Sequence, residues 1–197
     1  MIKNINFFNL GYAMVDIPTE LYQEIKEECI NAANTNEKLI TGMSSDFGCP
    51  THYKLTKTKE KLQNYVKDVA KEYAGNAWMT QFSRGISHME TQEFEMEAHN
   101  PWINYQTKGQ LLSNHIHAGF LSYSAWISIP VLSEFSYFQF IYNNTIGTTC
   151  NHDIAINKHM EGKLILFPSL LHHIAYPFYT SDDVRISVSG NLSLQRK

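Results

Sequence analysis

Hydrophobic positions recur at helical spacing in the first part of the chain and at alternate positions in the rest. Residues 10–17 (LGYAMVDI) are predicted as a first strand, after which Pro18-Thr19-Glu20 opens a helix with apolar Leu21, Ile25, Cys29 and Ile30. A second helix is predicted over about 58–74, where Leu62, Tyr65, Val66, Val69 and Tyr73 make one stripe among lysines and glutamates. Both stripes predict packing against a sheet. From about residue 92 the period falls to 2, predicting strands at 93–106, 114–118, 122–129, 137–142, 152–156, 163–167 and 184–194. Turns at Lys108-Gly109, Asn143-Asn144, Glu161-Gly162 and Ser181-Asp182-Asp183 separate them. Helices followed by short strands, with no βαβ rhythm, predict an α+β chain, mainly β, whose β-part is a sandwich or jelly roll.

Length changes this picture only by bounding it: 197 residues suit one domain over 1–197, with helical decoration at about 18–75 and a barrel at about 92–195. The net charge of −3 supplies no basic footprint, so nucleic acid and anionic membrane are not expected partners, and a small-molecule or protein substrate is. The first residues, MIKNINFFNLGYAMVDIP, lack the apolar region and cleavage site of a signal peptide, and no apolar run approaches the roughly 20 residues of a membrane span. Cys29, Cys49 and Cys150 are odd in number and form no CxxC pair. These features predict a cytoplasmic protein with inert thiols.

The histidines bring in chemistry. His115 and His117 stand two apart in NHIHAG. In an extended segment both rings leave one face and Ile116 the other, so one strand can give two ligands to one metal. Imidazole suits iron, zinc, copper and nickel, and a third ligand from a distant strand would complete one face of an octahedron. The candidate is His173, just beyond the strand KLILF and the turn Pro168-Ser169, with His172 beside it on the opposite face of an extended stretch. Arg185 and Ser187 alternate on the last predicted strand and share a face, where a guanidinium fork and a hydroxyl can grip a carboxylate. His52, His88, His99, His152 and His159 have no partner at ligand spacing and are read as surface or hydrogen-bonded core residues. Trp102 and Trp126 are read as core or pocket wall, and Asp153, which follows a loop, as lying outside the site.

The stretches PWINYQTKGQLLSNHIHAGFLSYSAWISIP (101–130) and GKLILFPSLLHHIAYPFYTSDDVRISVSGNLSL (162–194) resemble the iron(II)/2-oxoglutarate oxygenase superfamily, and within it the small oxygenase-like proteins of tailed bacterial viruses. The order carries the likeness: a strand with Tyr, then Gly, HxH, a strand ending in Pro, FPS, His and RxS. The resemblance implies a double-stranded β-helix (a cupin-like jelly roll) with N-terminal supporting helices, iron(II) as metal and 2-oxoglutarate as cosubstrate. It implies His115 as proximal ligand, His117 at the second ligand position and His173 as distal ligand; the spacing from FPS and to Pro177 favours His173 over His172. It further implies Arg185 paired with the distal carboxylate of 2-oxoglutarate, Ser187 assisting, and Tyr105 hydrogen-bonded to the cosubstrate. For a viral chain, the compartment would be the host cytoplasm.

Most members of that superfamily carry His-x-Asp or His-x-Glu, whereas His117 holds the carboxylate position here. Three histidines leave a metal one negative charge short, which weakens its binding and changes dioxygen activation. The leading expectation is an oxidoreductase, an iron(II)- and 2-oxoglutarate-dependent dioxygenase that hydroxylates a C–H bond. The alternative is a non-catalytic metal-binding jelly roll with a structural or interaction role. A third reading, a three-histidine dioxygenase that cleaves its substrate without 2-oxoglutarate, leaves Arg185 and Ser187 without a task.

Overall fold

The computed structural model describes residues 11–39, 48–75, 94–131, 136–144 and 146–196. In chain order the elements are β1 (Ala13–Asp16), α1 (Thr19–Thr35), β2 (Lys38–Leu39), β3 (Thr51–Lys54), α2 (Lys59–Gly75), β4 (Phe94–Ala98), β5 (Trp102–Gln106), β6 (Leu112–His115), β7 (Leu121–Ser128), β8 (Ser136–Asn143), β9 (Thr149–Ile156), β10 (Lys163–Pro168), β11 (His172–Ala175) and β12 (Arg185–Arg196). Residues 10 and 93, at the edges of two predicted strands, and His88 lie outside the described residues.

Both helices form where the periodicity places them. Helix α1 starts after Pro18, whose missing N–H costs nothing at a helix start, and buries Ile25, Glu28, Cys29 and Ala32 at spacings of three and four. Ile30, expected in the stripe, is half exposed because one residue past Cys29 turns it about 100° away. Helix α2 buries Leu62, Val66 and Ala70, with Tyr65, Val69 and Tyr73 at the edge of the core. The buried Glu28 ties the two helices together. Its carboxylate accepts the backbone N–H groups of Thr56, Lys57 and Thr58 at 2.7, 3.0 and 2.8 Å, just before α2 begins.

Two antiparallel sheets make the jelly roll. The larger runs β1-β10-β7-β12-β5-β3-β2, with β4 also on β12, and the smaller runs β6-β11-β8-β9. Strand β7 is buried on both faces. Leu121, Tyr123, Ala125 and Ile127 pack toward the helices, while Trp126 meets Phe138, Phe140, Ile154, Ile156 and Phe167 between the sheets. The strand predicted over 93–106 is two strands, β4 and β5, divided at His99-Asn100-Pro101, where proline has no N–H for a ladder. The break lets both pair with the long β12, β4 along Leu192–Arg196 and β5 along Arg185–Ser189.

Candidate active site

The site arises where β6 and β11 pair, with His115 directly opposite His173. Cross-strand partners leave the same face of a sheet, so a pairing between residues far apart in sequence sets two imidazoles side by side. Their ring centroids lie 4.2 Å apart. The third ring arrives differently from the sequence expectation. Strand β6 ends at His115 instead of running through 118, and His117 sits in the turn that follows, its N–H donating to the Ser169 carbonyl at 2.9 Å. Gly119, at φ +139°, completes that turn. A Cβ there would stand 3.0 Å from the Leu192 carbonyl oxygen, a spacing only glycine tolerates. Ile116 is accordingly half exposed.

One nitrogen from each of His115, His117 and His173 lies within 4.8 Å of the others. Backbone carbonyls fix two of the tautomers. His115 Nδ1 is 2.6 Å from the Ser113 oxygen and His173 Nδ1 is 2.8 Å from the Leu171 oxygen. A carbonyl only accepts, so each Nδ1 carries the proton and each Nε2 presents a lone pair. His173 Nε2 lies 3.2 Å from His117 Nε2, two nitrogens of which one must surrender a proton before a metal takes its place. Burial first, and the neighbouring His115 second, push His117 down to about 4 and His173 down to about 3, so both rings are neutral at physiological pH. His172 faces away, exposed, its Nδ1 3.2 Å from Asn114 Oδ1.

The histidines open onto a cavity of about 440 Å³ whose walls include Trp102, Trp126, Phe138 and Phe167. Arg185 also lines it, 4% exposed. Its Nε and Nη2 donate to Gln106 Oε1 at 3.2 and 2.5 Å, Nη2 also to the Tyr176 carbonyl at 2.7 Å, and Nη1 to Ser136 Oγ at 2.6 Å. Every acceptor is neutral. Asp182, in the turn before β12, pairs with Lys108. Among the described residues the guanidinium is therefore a buried cation with no carboxylate against it, and burial lowers its pKa to about 10. Ser187 lines the cavity on the same strand, accepting from Asn104 Nδ2 at 3.2 Å.

Tyr105 is a correction. It alternates with Asn104 and Gln106 on β5, and those two face the cavity while Tyr105 packs on the helix side, its hydroxyl donating to the Cys29 and Ile30 carbonyls of α1. It therefore does not reach a cosubstrate in this cavity. The period-2 rule that pairs Arg185 with Ser187 would have shown Asn104 and Gln106 on the inward face. His52 was also read as ordinary; it lies on β3, where no strand was predicted, and lines the cavity. Asp153 stays outside, exposed and accepting from Gln139 Nε2 at 2.7 Å. His99 and His152 are exposed, bonded to Ser193 and Tyr12.

A family model described as "Putative 2OG-Fe(II) oxygenase" matches residues 100–191, just under half of the chain. No curated protein sequence matches. Among solved structures, a prolyl-4-hydroxylase of Pseudomonas putida is similar at 12% identity and TM-score 0.63, covering 95% of this chain and 94% of that one. The α-ketoglutarate-dependent carbocyclase SnoK of nogalamycin biosynthesis is similar at 11% identity and TM-score 0.64, covering 95% and 80%. The collagen prolyl hydroxylase of Paramecium bursaria Chlorella virus-1 is similar at 11% identity and TM-score 0.51, covering 92% and 94%. Those identities speak for the shared fold alone, and the likeness to that family is confined to 100–191, the segment that holds the three histidines and Arg185. Over that segment the chain is similar to the 2-oxoglutarate/iron(II) oxygenases, and its fold is the one those solved structures share.

Proposed function

We propose that the protein is an iron(II)- and 2-oxoglutarate-dependent dioxygenase that hydroxylates a C–H bond of a small-molecule or peptide substrate. In this reading His115, His117 and His173 hold the iron, and Arg185 with Ser187 holds the distal carboxylate of 2-oxoglutarate. One observation carries it: a buried cation with no carboxylate against it among the described residues and a three-imidazole cluster line the same cavity. An uncompensated buried charge is costly, and a dicarboxylate that meets Arg185 at one end and a metal at the other answers it. The structurally similar viral prolyl hydroxylase was solved as a 2-oxoglutarate complex.

When bound, iron(II) supplies dioxygen activation and 2-oxoglutarate two electrons, the balance being substrate, dioxygen and 2-oxoglutarate to hydroxylated substrate, succinate and carbon dioxide. The chain's own residues do the holding. Ser113 and Leu171 carbonyls orient two ligand rings, Gln106 and Ser136 aim the guanidinium, and the aromatic walls exclude water. Three free thiols support a reducing, cytoplasmic setting, the host's if the chain is viral.

Anaerobic titration with iron(II) and 2-oxoglutarate tests the reading. A weak visible charge-transfer band that grows to one equivalent of each is expected. The all-histidine cluster favours a second reading, a metal-binding jelly roll without turnover. Iron uptake with no response to 2-oxoglutarate would select it and set the oxygenase aside.

A further inference from the structure

Among the described residues three buried polar atoms of the cavity wall have no partner, His52 Nε2, Asn104 Oδ1 and the Tyr123 hydroxyl; none belongs to the histidine cluster or to Arg185, and the first two are neighbours. His52 is 7% exposed, lines the cavity, and its Nε2 makes no hydrogen bond. Asn104 is 6% exposed and lines the cavity as well. Its amide nitrogen donates to Ser187 Oγ and Ser189 Oγ at 3.2 and 3.0 Å, while Oδ1 is buried and unsatisfied. Register places the two together: His52 is directly opposite Asn104, Asn104 opposite Ser187, and Ser187 opposite Trp126. The four side chains form one rung across the inward face of the larger sheet, beside the rung that carries Arg185 and Gln106. Polar atoms withdrawn from water are nearly always paired, so two neighbours left open in one cavity point to a ligand group that pairs them.

We propose that His52, together with Asn104 Oδ1, determines specificity by receiving an uncharged, hydrogen-bond-donating group of the primary substrate, an amide or a hydroxyl. The proposal rests on the oxygenase reading above and names its substrate class. An amide oxygen only accepts, so the incoming group must donate, which turns away carboxylates and phosphates. An ammonium could donate, but the described lining contains no carboxylate to offset it and already holds the Arg185 cation. A primary amide satisfies both atoms, and so does a hydroxyl that donates to Oδ1 and accepts from the His52 ring, whose tautomer can follow either partner. Trp126 on the same rung and Trp102 on the next supply the apolar wall for the rest of the molecule.

Benzamide, benzyl alcohol, benzoate and benzylammonium share one skeleton and differ in the head group. Their affinities are compared by ligand-observed NMR titration of protein loaded with zinc(II) and 2-oxoglutarate. The neutral probes are expected to bind at least about tenfold more tightly than the charged ones, and His52→Phe to bring the ratio within about threefold. His52→Gln keeps a hydrogen-bonding group and is expected to retain most of the discrimination. Calorimetric 2-oxoglutarate affinity is expected to stay within about threefold across the series, since no step of the carboxylate clamp uses His52. If circular dichroism shows His52→Phe unfolded, His52→Leu is read in its place. Undiminished discrimination in the apolar variant, or a preference for a charged probe, overturns the proposal. Wild-type protein that binds 2-oxoglutarate but treats the probes alike removes this proposal alone, whereas failure to bind 2-oxoglutarate removes the oxygenase reading beneath it.

Discussion

Replacing Arg185 by methionine is expected to separate cosubstrate binding from folding. Without ligand the guanidinium is 4% exposed with only neutral acceptors, and burial moves its pKa from 12.5 to about 10. At about 1.4 kcal/mol per unit, desolvation weighs against the charged form by about 3 kcal/mol. Methionine removes that cost and fills much of the space. It also takes donors from Gln106 Oε1, the Tyr176 carbonyl and Ser136 Oγ. The Tyr176 carbonyl still accepts from Gln106 Nε2 and Ser136 Oγ, so the main loss is at Gln106 Oε1, about 1–3 kcal/mol for one acceptor left unsatisfied. The opposed terms predict an unliganded stability within about 2 kcal/mol of wild type. The liganded state has no such compensation. Loss of the buried cation costs the carboxylate about 2–5 kcal/mol, roughly 30-fold or more in Kd. At a 2-oxoglutarate concentration about 100 times the wild-type Kd, binding stabilises the native state by about 2.7 kcal/mol, falling to about 0.9 kcal/mol for a 30-fold weaker site. For a chain of this size that shrinks the ligand-induced rise in Tm from about 5–11 °C to about 2–4 °C. Thermal unfolding of the manganese-loaded protein with and without 2-oxoglutarate measures it. Equal shifts in wild type and Arg185→Met would refute the clamp.

Metal analysis is expected to show His173→Ala without stoichiometric iron and His172→Ala with it, circular dichroism staying near wild type in both, because only His173 meets the other two rings. Glu28→Gln is expected to cost about 2–3 kcal/mol at neutral pH in urea unfolding. Burial would raise the Glu28 carboxyl, but the three backbone N–H groups and Thr58 Oγ1 outweigh it and hold the pKa at about 2 against an ordinary 4.5. Its contribution is therefore whole above about pH 4.5 and lost as pH falls toward about 2, so the variant's urea midpoint changes less over that range. Gly190→Ala is expected to destabilise by about 1–3 kcal/mol, read as a lower urea midpoint. Its new Cβ would sit 2.5 Å from the hydroxyl of the fully buried Tyr123, and a co-substitution Tyr123→Leu should recover part of the loss.

Local order was legible in the sequence wherever one periodicity decided it. Helix α2 is found at Lys59–Gly75 against 58–74, and β7 at Leu121–Ser128 against 122–129, because each stripe or alternation needs only its own neighbours to bury it. The inward pairing of Arg185 and Ser187 followed from the same alternation. Where chain geometry broke the period, the reading slipped: Pro101 splits a strand that otherwise alternates cleanly, and the HIH segment leaves its strand after His115, so Ile116 is half exposed. Short β2 and β3 carry too few residues to show a period, which hid His52. Tyr105 matched a position in a known order, but the side it faces is set by the sheet between α1 and the cavity, and its hydroxyl goes to α1. Sequence could name three histidines and an arginine. Only the pairing of β6 with β11 and of β12 with β5 decided that these groups share one cavity and that, among the described residues, the arginine enters it without a carboxylate, since burial and charge neutralisation depend on which distant strands become neighbours.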